Sequence, residues 1–262
     1  MLKDKNSDVR AVLKHGTECG CLARRGMLTA FGAFGALGLI GCSAPATPPA
    51  PATPAAIQPL TKAQRDALSP DAVIDLMKRG NERFRSGERK DRDWQAQQRI
   101  SADGQSPMAV LLSCIDSRAP AEILFDLGLG DIFNNRLAGN VVDPAVLGGM
   151  EFACKLVGAK VVLVLGHTSC GAVAGAIAGA KLGNLTGLLA KIQPAIAPTK
   201  FAGDRGASNP AFVDAVARTH VGLTMAAIRK KSPVLAGLEK DGKVKIAGAM
   251  YDLGTGAVEF LS

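Results

Sequence analysis

Two cysteines and one histidine carry the chemistry most plainly written in this chain. Cys114 heads the run Cys114-Ile115-Asp116-Ser117-Arg118, and the other two stand in His167-Thr168-Ser169-Cys170. Two thiols and an imidazole bind Zn2+ tightly, and three such ligands leave one tetrahedral position free. Structural zinc sites are normally closed by four protein ligands, whereas catalytic ones keep three and hold a water in the open position. The missing fourth ligand points to catalysis.

The elements that must position these ligands are legible beside them. Residues 108–113 (MAVLLS) and 161–166 (VVLVLG) are short, continuous apolar runs rich in valine and leucine, the pattern of strands buried on both faces of a parallel sheet. Cys114 and His167 each follow directly on one of these runs, and open α/β sheets place their sites beyond the carboxyl ends of strands. Cys170 comes three residues after His167, where the chain turns into the small-residue segment 171–181, read as a helix packed on the sheet. A lone cysteine at a strand end is more often a small buried hydrophobe. The joint pattern, with Asp116 and Arg118 beside the first thiol, carries the assignment.

The runs C-I-D-S-R and G-H-T-S-C-G-A-V resemble the β-class carbonic anhydrases, zinc enzymes that interconvert carbon dioxide and bicarbonate. Residues 76–87 are similar to that family's amino-terminal helix, 131–142 to its next strand and loop, and 247–261 to its closing hairpin, so the likeness runs from about residue 69 onward. The resemblance implies that Cys114, His167 and Cys170 hold the metal and that Asp116 and Arg118 form the catalytic dyad. Zinc lowers the pKa of a bound water from about 15.7 to about 7, making hydroxide available near neutral pH to attack carbon dioxide. Asp116 would orient that hydroxide while the forked guanidinium of Arg118 holds the carboxylate. Without that hold Asp116 could itself become the fourth ligand, and the family contains both arrangements.

Departures from the family narrow what carries over. Gly149-Met150-Glu151-Phe152 stands where Ser-Leu-Glu-Tyr is usual, and the segment 125–133 lacks the glutamine of plant-type members. Leu111 occupies the place of the tryptophan found in bicarbonate-regulated members, so inhibition through that second bicarbonate site is not expected. Of three histidines, His15 falls in the leader, His167 is the proposed ligand and His220 lies in the helix-like segment 215–229 as a structural residue. With no free histidine for proton transfer, turnover should depend on buffer as proton acceptor. Cys154, in the apolar segment 146–157, reads as a buried free thiol.

The amino terminus reads as an export signal. Arg24-Arg25 precedes an apolar stretch over 27–40 that is shorter than the roughly 20 residues of a membrane span, a pattern suited to the twin-arginine route. Leu39-Ile40-Gly41-Cys42 resembles a bacterial lipobox, implying a signal peptide over 1–41 and lipidation of Cys42. That places the enzyme on a membrane of the cell envelope, periplasmic, with Ser43 compatible with outer-membrane sorting. Residues 42–59 then form a Pro/Ala-rich tether, whose 16 residues from Ala44 reach about 50 Å at about 3.1 Å each, before a catalytic domain over 60–262.

The formal charge is +8, of which the first 41 residues, with six basic and three acidic side chains, hold +3. Without aromatic interleaving or a clustered basic helix, nucleic-acid binding has little support. The expected fold is α/β: a mainly parallel central sheet with strands near 108–113, 131–137 and 161–166, flanked by helices, and an antiparallel edge pair, 244–250 with 256–261. The resemblance further implies a homo-oligomer, dimer or tetramer. Two other readings stay open on sequence: a carbon disulfide or carbonyl sulfide hydrolase on the same scaffold, and a non-catalytic zinc-binding lipoprotein.

Overall fold

The computed structural model describes residues 57–261. The signal peptide over 1–41, Cys42 and nearly all of the tether lie outside the described residues. The tether's last residues are already tied to the domain: Gln97 Nε2 donates to the carbonyl oxygen of Ile57 at 2.7 Å and Leu60 N to Asp131 Oδ1 at 3.3 Å.

Five strands form one sheet: β1 (Ala109–Ser113), β2 (Ile132–Arg136), β3 (Val161–His167), β4 (Lys245–Tyr251) and β5 (Val258–Leu261), in the order β2-β1-β3-β4-β5. The first four run parallel and β5 is antiparallel to β4, the arrangement expected from sequence. Every residue of β1 and β3 is buried, because helices cover both faces of the sheet, while β2 at the edge alternates in exposure. His167 closes β3 in register with Tyr251 of β4 rather than following the strand.

Helix order along the chain is α1 (Lys62–Asp66), α2 (Pro70–Ser86), α3 (Trp94–Ser101), α4 (Ala121–Leu124), α5 (Pro144–Glu151), α6 (Gly171–Ile177), α7 (Gly183–Ala190), α8 (Pro210–Lys231) and α9 (Pro233–Lys240). α2 starts six residues before the stretch singled out in the sequence. Ser69 Oγ accepts from Ala72 N at 3.1 Å, Pro70 sits in the first turn where no amide is needed, and Gly87 at φ 77° ends the helix. α8 likewise opens on Asn209 and Pro210. The segment expected to be helical over 171–181 ends at Ile177, and a π-helical turn over Phe152–Val157 extends α5 and buries Cys154.

The core divides with the alternation of the strands. Val110, Leu112, Val162 and Val164 face α5, α6, α8 and α9, while Ala109, Leu111, Leu163 and Leu165 face α2, α4 and Phe125. α8 sits close against the first face. A Cβ at Gly166 of β3 would lie 2.7 Å from Val221 Cγ2, and one at Gly248 of β4 2.8 Å from Val221 Cγ1. Two facing glycines thus fix the depth of α8 against the strand that ends in His167. On the other face, Asn81 of α2 donates to the carbonyls of Leu124 and Gly256 and accepts from Val258 N, tying that helix to the β4–β5 turn.

Candidate metal centre

The carboxyl ends of β1 and β3 bring the predicted ligands together. Cys114, His167 and Cys170 are all buried, and their ligand atoms lie within 4.8 Å of one another. His167 Nδ1 donates to the carbonyl of Thr168 at 2.8 Å, which fixes the tautomer and leaves Nε2 as the basic nitrogen. Nε2 is buried without a hydrogen-bond partner among the described residues. A buried orphan acceptor is costly unless something else engages it, and here it stands among two thiols. With bonds of about 2.3 Å to sulfur and about 2.0 Å to nitrogen, small side-chain adjustments put all three on one ion. The donor set fits zinc.

The two sulfurs are unequal. Cys114 Sγ shares a hydrogen bond with Cys170 and accepts from the backbone N–H of Gly139 at 3.3 Å, and its pKa is pushed down to about 4. That thiolate, with burial, pushes the Cys170 thiol up. Gly139 stands at φ 65°, and a Cβ there would come within 2.5 Å of Ile192 Cδ1, so its place in the loop after β2 suits only glycine.

Asp116 and Arg118 are brought together in the predicted dyad. Arg118 Nε donates to Oδ1 at 2.9 Å, Nη2 to Oδ2 at 2.7 Å, and the Arg118 amide to Oδ1 at 3.0 Å. These bonds hold the carboxyl far below the usual carboxylate range. Oδ2 also lies 4.0 Å from His167 Nε2, so the dyad abuts the metal centre. Arg136, at the end of β2, donates to the carbonyls of Cys114 (3.0 Å) and Asp116 and braces the segment between them.

The turn between His167 and Cys170 is held from two sides. Thr168 N donates to the Tyr251 carbonyl at 2.9 Å and Thr168 Oγ1 accepts from Leu253 N at 3.0 Å. Ser169, at φ 53°, donates its N–H to Asp214 Oδ1 of α8 at 2.7 Å. Sequence reasoning singled out neither Gly139, Arg136 nor Asp214. Their partners are 20 to 45 residues away in the chain, and only the glycine of Gly139-Asn140 offers a local signal, as a turn.

Comparisons with known proteins point to one family. The carbonic anhydrase family model matches residues 109–258. Carbonic anhydrase 2 of Mycobacterium tuberculosis is 38% identical over 190 residues, covering 72% of this chain and 91% of its own length. The carbonic anhydrase of Mycolicibacterium smegmatis is 36% identical over 196 residues, covering 74% and 94%. Among solved structures, the β-carbonic anhydrase CafA of Aspergillus fumigatus superposes with a TM-score of 0.57 at 27% identity, covering 73% of this chain and 89% of that one. A match over more than half the chain, along nearly the full length of its relatives and on the same parallel sheet, makes this chain a member of the β-class carbonic anhydrases.

Proposed function

We propose that Cys114, His167 and Cys170 hold zinc and that the Asp116–Arg118 dyad orients the nucleophile for reversible hydration of carbon dioxide to bicarbonate and a proton. The observation that carries this reading is the placement of Asp116 Oδ2, 4.0 Å from His167 Nε2, in a carboxylate whose two oxygens are both taken by Arg118. When bound, zinc supplies the Lewis acid that brings the pKa of a water from about 15.7 to about 7. Asp116, kept ionised by Arg118, has a free lone pair on Oδ2 with which to accept a hydrogen bond from the nucleophile and turn its remaining lone pair toward carbon dioxide. The same clamp opposes rotation of Asp116 onto the metal, which supports an open fourth position at rest. Arg136 keeps the carbonyls on either side of Ile115 fixed, so Cys114 and Asp116 move as one unit.

Proton release falls to buffer in this reading. His220 is buried beneath the Gly139 loop, away from solvent. The exported, lipid-anchored form through Cys42 rests on the sequence motifs alone, as does location at the periplasmic face of an envelope membrane. Homo-oligomer formation is supported by large apolar residues exposed on the π-helical turn, Phe152 at 40%, whose ring meets Phe133 of the edge strand β2, and Leu156 at 42%.

The test is stopped-flow carbon dioxide hydration on protein of measured zinc content, wild type against Asp116→Asn. One zinc per chain in both, with activity in the wild type that rises from about pH 6.5 to 9 and is lost in the variant, supports the reading. Full zinc occupancy without activity in the wild type refutes it and favours the sulfur-substrate hydrolase or the non-catalytic zinc protein.

A further inference from the structure

We propose that Asp214 is a positioning residue of the metal centre: its carboxylate, reaching from α8, holds Ser169 in the left-handed conformation through which one short turn delivers both His167 and Cys170 to zinc. This rests on the ligand set proposed above. Only two residues separate the ligands. His167 ends β3 and Cys170 caps α6, so Thr168 and Ser169 must reverse the chain between them. Ser169 does so at φ 53°, a region that a side chain with a Cβ enters only at a cost. Such conformations persist where the surroundings over-determine them.

Asp214 provides that determination. The 2.7 Å bond from Ser169 N–H to its Oδ1 is short and charge-assisted. The carboxylate has no ion-pair partner among the described residues, and this backbone amide is its only described hydrogen bond. An aspartate that pairs with no cation and instead accepts one strained amide is placed for that amide. Its own position is rigid. Asp214 lies seven residues before Val221, hence on the same face of α8, and Val221 is seated on Gly166 and Gly248 at the depth of the sheet. Gly166 immediately precedes His167, so the contact that seats the helix and the bond that shapes the turn act on one stretch of backbone. Asp214 and Thr168 together line a cleft of about 640 Å³, which leaves the turn open to solvent on that side and without packing that could replace the bond.

Metal binding reads this role directly. Apoprotein is titrated with zinc against a competing chelator and with cobalt(II), whose absorption reports ligand geometry, and the melting temperature of each apo form is recorded. Asp214→Ala should weaken zinc binding about tenfold to a hundredfold, the usual cost of losing a partner that orients a ligand, and should alter the cobalt spectrum. Asp214→Asn, which keeps the Oδ1 acceptor, should bind within about threefold of wild type. Ser169→Gly in the Asp214→Ala background should recover most of the loss, since glycine takes positive φ unaided. If the alanine variant does not fold, recovery of folding and zinc binding in the double variant reports the same rescue. Alanine and wild type binding zinc equally with one cobalt spectrum overturns the proposal, as does an alanine variant that loses only apo stability. Wild-type protein taking up neither metal overturns the ligand set itself, and the role of Asp214 with it.

Discussion

Two aspartates in this molecule are gripped by arginine, one in the interior and one beside the candidate metal centre. Asp126 is fully buried, with Arg92 at 4% side-chain exposure and Arg83 at 27%. Arg83 Nε donates to Oδ2 at 2.6 Å, Lys90 N to the same oxygen at 3.3 Å, and Arg92 to Oδ1 and to the Asp126 carbonyl. Asp116 keeps 16% exposure and a single arginine, Arg118, which is itself 57% exposed. Burial pushes the Asp126 carboxyl up, but its two guanidiniums and the Lys90 amide outweigh it and hold the group below its ordinary value. At Asp116 the Arg118 bonds dominate outright. The buried cluster uses its acceptors to fasten the chain between α2 and α3 onto the end of α4. In the proposed function the exposed pair spends its grip on orientation, and its Oδ2 lies 4.0 Å from His167 Nε2. The two pairs share their chemistry and differ in burial, which sets the buried one to stability and leaves the exposed one available for the proposed catalytic role.

The largest expected effect comes from breaking the buried member. Asp126→Ala leaves the Arg92 charge without its counter-ion in a site that already holds an unpartnered Nε. Losing one partner of a buried pair costs about 3–5 kcal/mol, equivalent to a fall in melting temperature of roughly 10 °C for a domain of this size. Denaturant melts measure the loss, and activity per folded molecule should be unchanged. Equal falls in stability and specific activity would mean that the two aspartates do not act separately.

Next comes the exposed member, where the loss should be kinetic. Arg118→Lys keeps the charge but not the fork, so Asp116 loses its bidentate hold; activity should drop roughly tenfold or more, with melting temperature within about 2 °C of wild type. Stopped-flow rates and thermal melts on the same preparation check both parts. A lysine variant with wild-type rates would show that charge alone suffices.

The comparison sharpens with acid. Because the folded pKa of Asp126 is depressed, its contribution is complete above the unfolded value, about 3.9, and is lost as pH falls through the lower folded value. The gap in melting temperature between wild type and Asp126→Asn should therefore narrow as pH drops from about 5 to about 3. A constant gap across that range would assign the stabilisation to packing of the side chain rather than to its charge.

Local signals in the sequence account for what was legible there. The valine- and leucine-rich runs of β1 and β3, the Cys114, His167 and Cys170 motifs, the Asp116–Arg118 pair and the antiparallel hairpin near residue 250 could all be read, because each is marked by neighbours within a few residues. The early start of α2 was legible in principle from Ser69-Pro70, a cap and a first-turn proline. Partners far apart in the chain were not. Asn81 with Gly256, Asp126 with Arg83, and Ser169 with Asp214 are joined only once the sheet has assembled. The seating of α8 on Gly166 and Gly248 likewise depends on two strands lying side by side, and the π-helical turn over Phe152–Val157 on packing that no periodicity announces.

The smallest effect concerns His220, the titratable side chain beneath the loop that serves Cys114. It is 4% exposed, with Nε2 3.5 Å from Thr224 Oγ1 and the backbone of Gly139 beside it. A cavity of about 430 Å³ at this point is also lined by Asp143, Lys191 and Lys231. Asp143 lies 3.9 Å from Lys191, so the two largely cancel, and Lys231 adds a positive charge that disfavours a second one nearby. Burial accordingly holds the imidazole below its ordinary pKa. Below about pH 6.5 the unfolded chain takes up a proton at this position that the folded chain refuses, so stability is complete above that pH and falls as the pH drops toward the folded value. His220→Asn, which keeps a polar group under the loop, should lose less stability than wild type between about pH 7 and 5, by a few degrees in melting temperature. Parallel curves would mean that the folded protein accepts the proton, with the imidazolium donating to the Gly139 carbonyl; the loop carrying the amide that bonds Cys114 would then respond to pH.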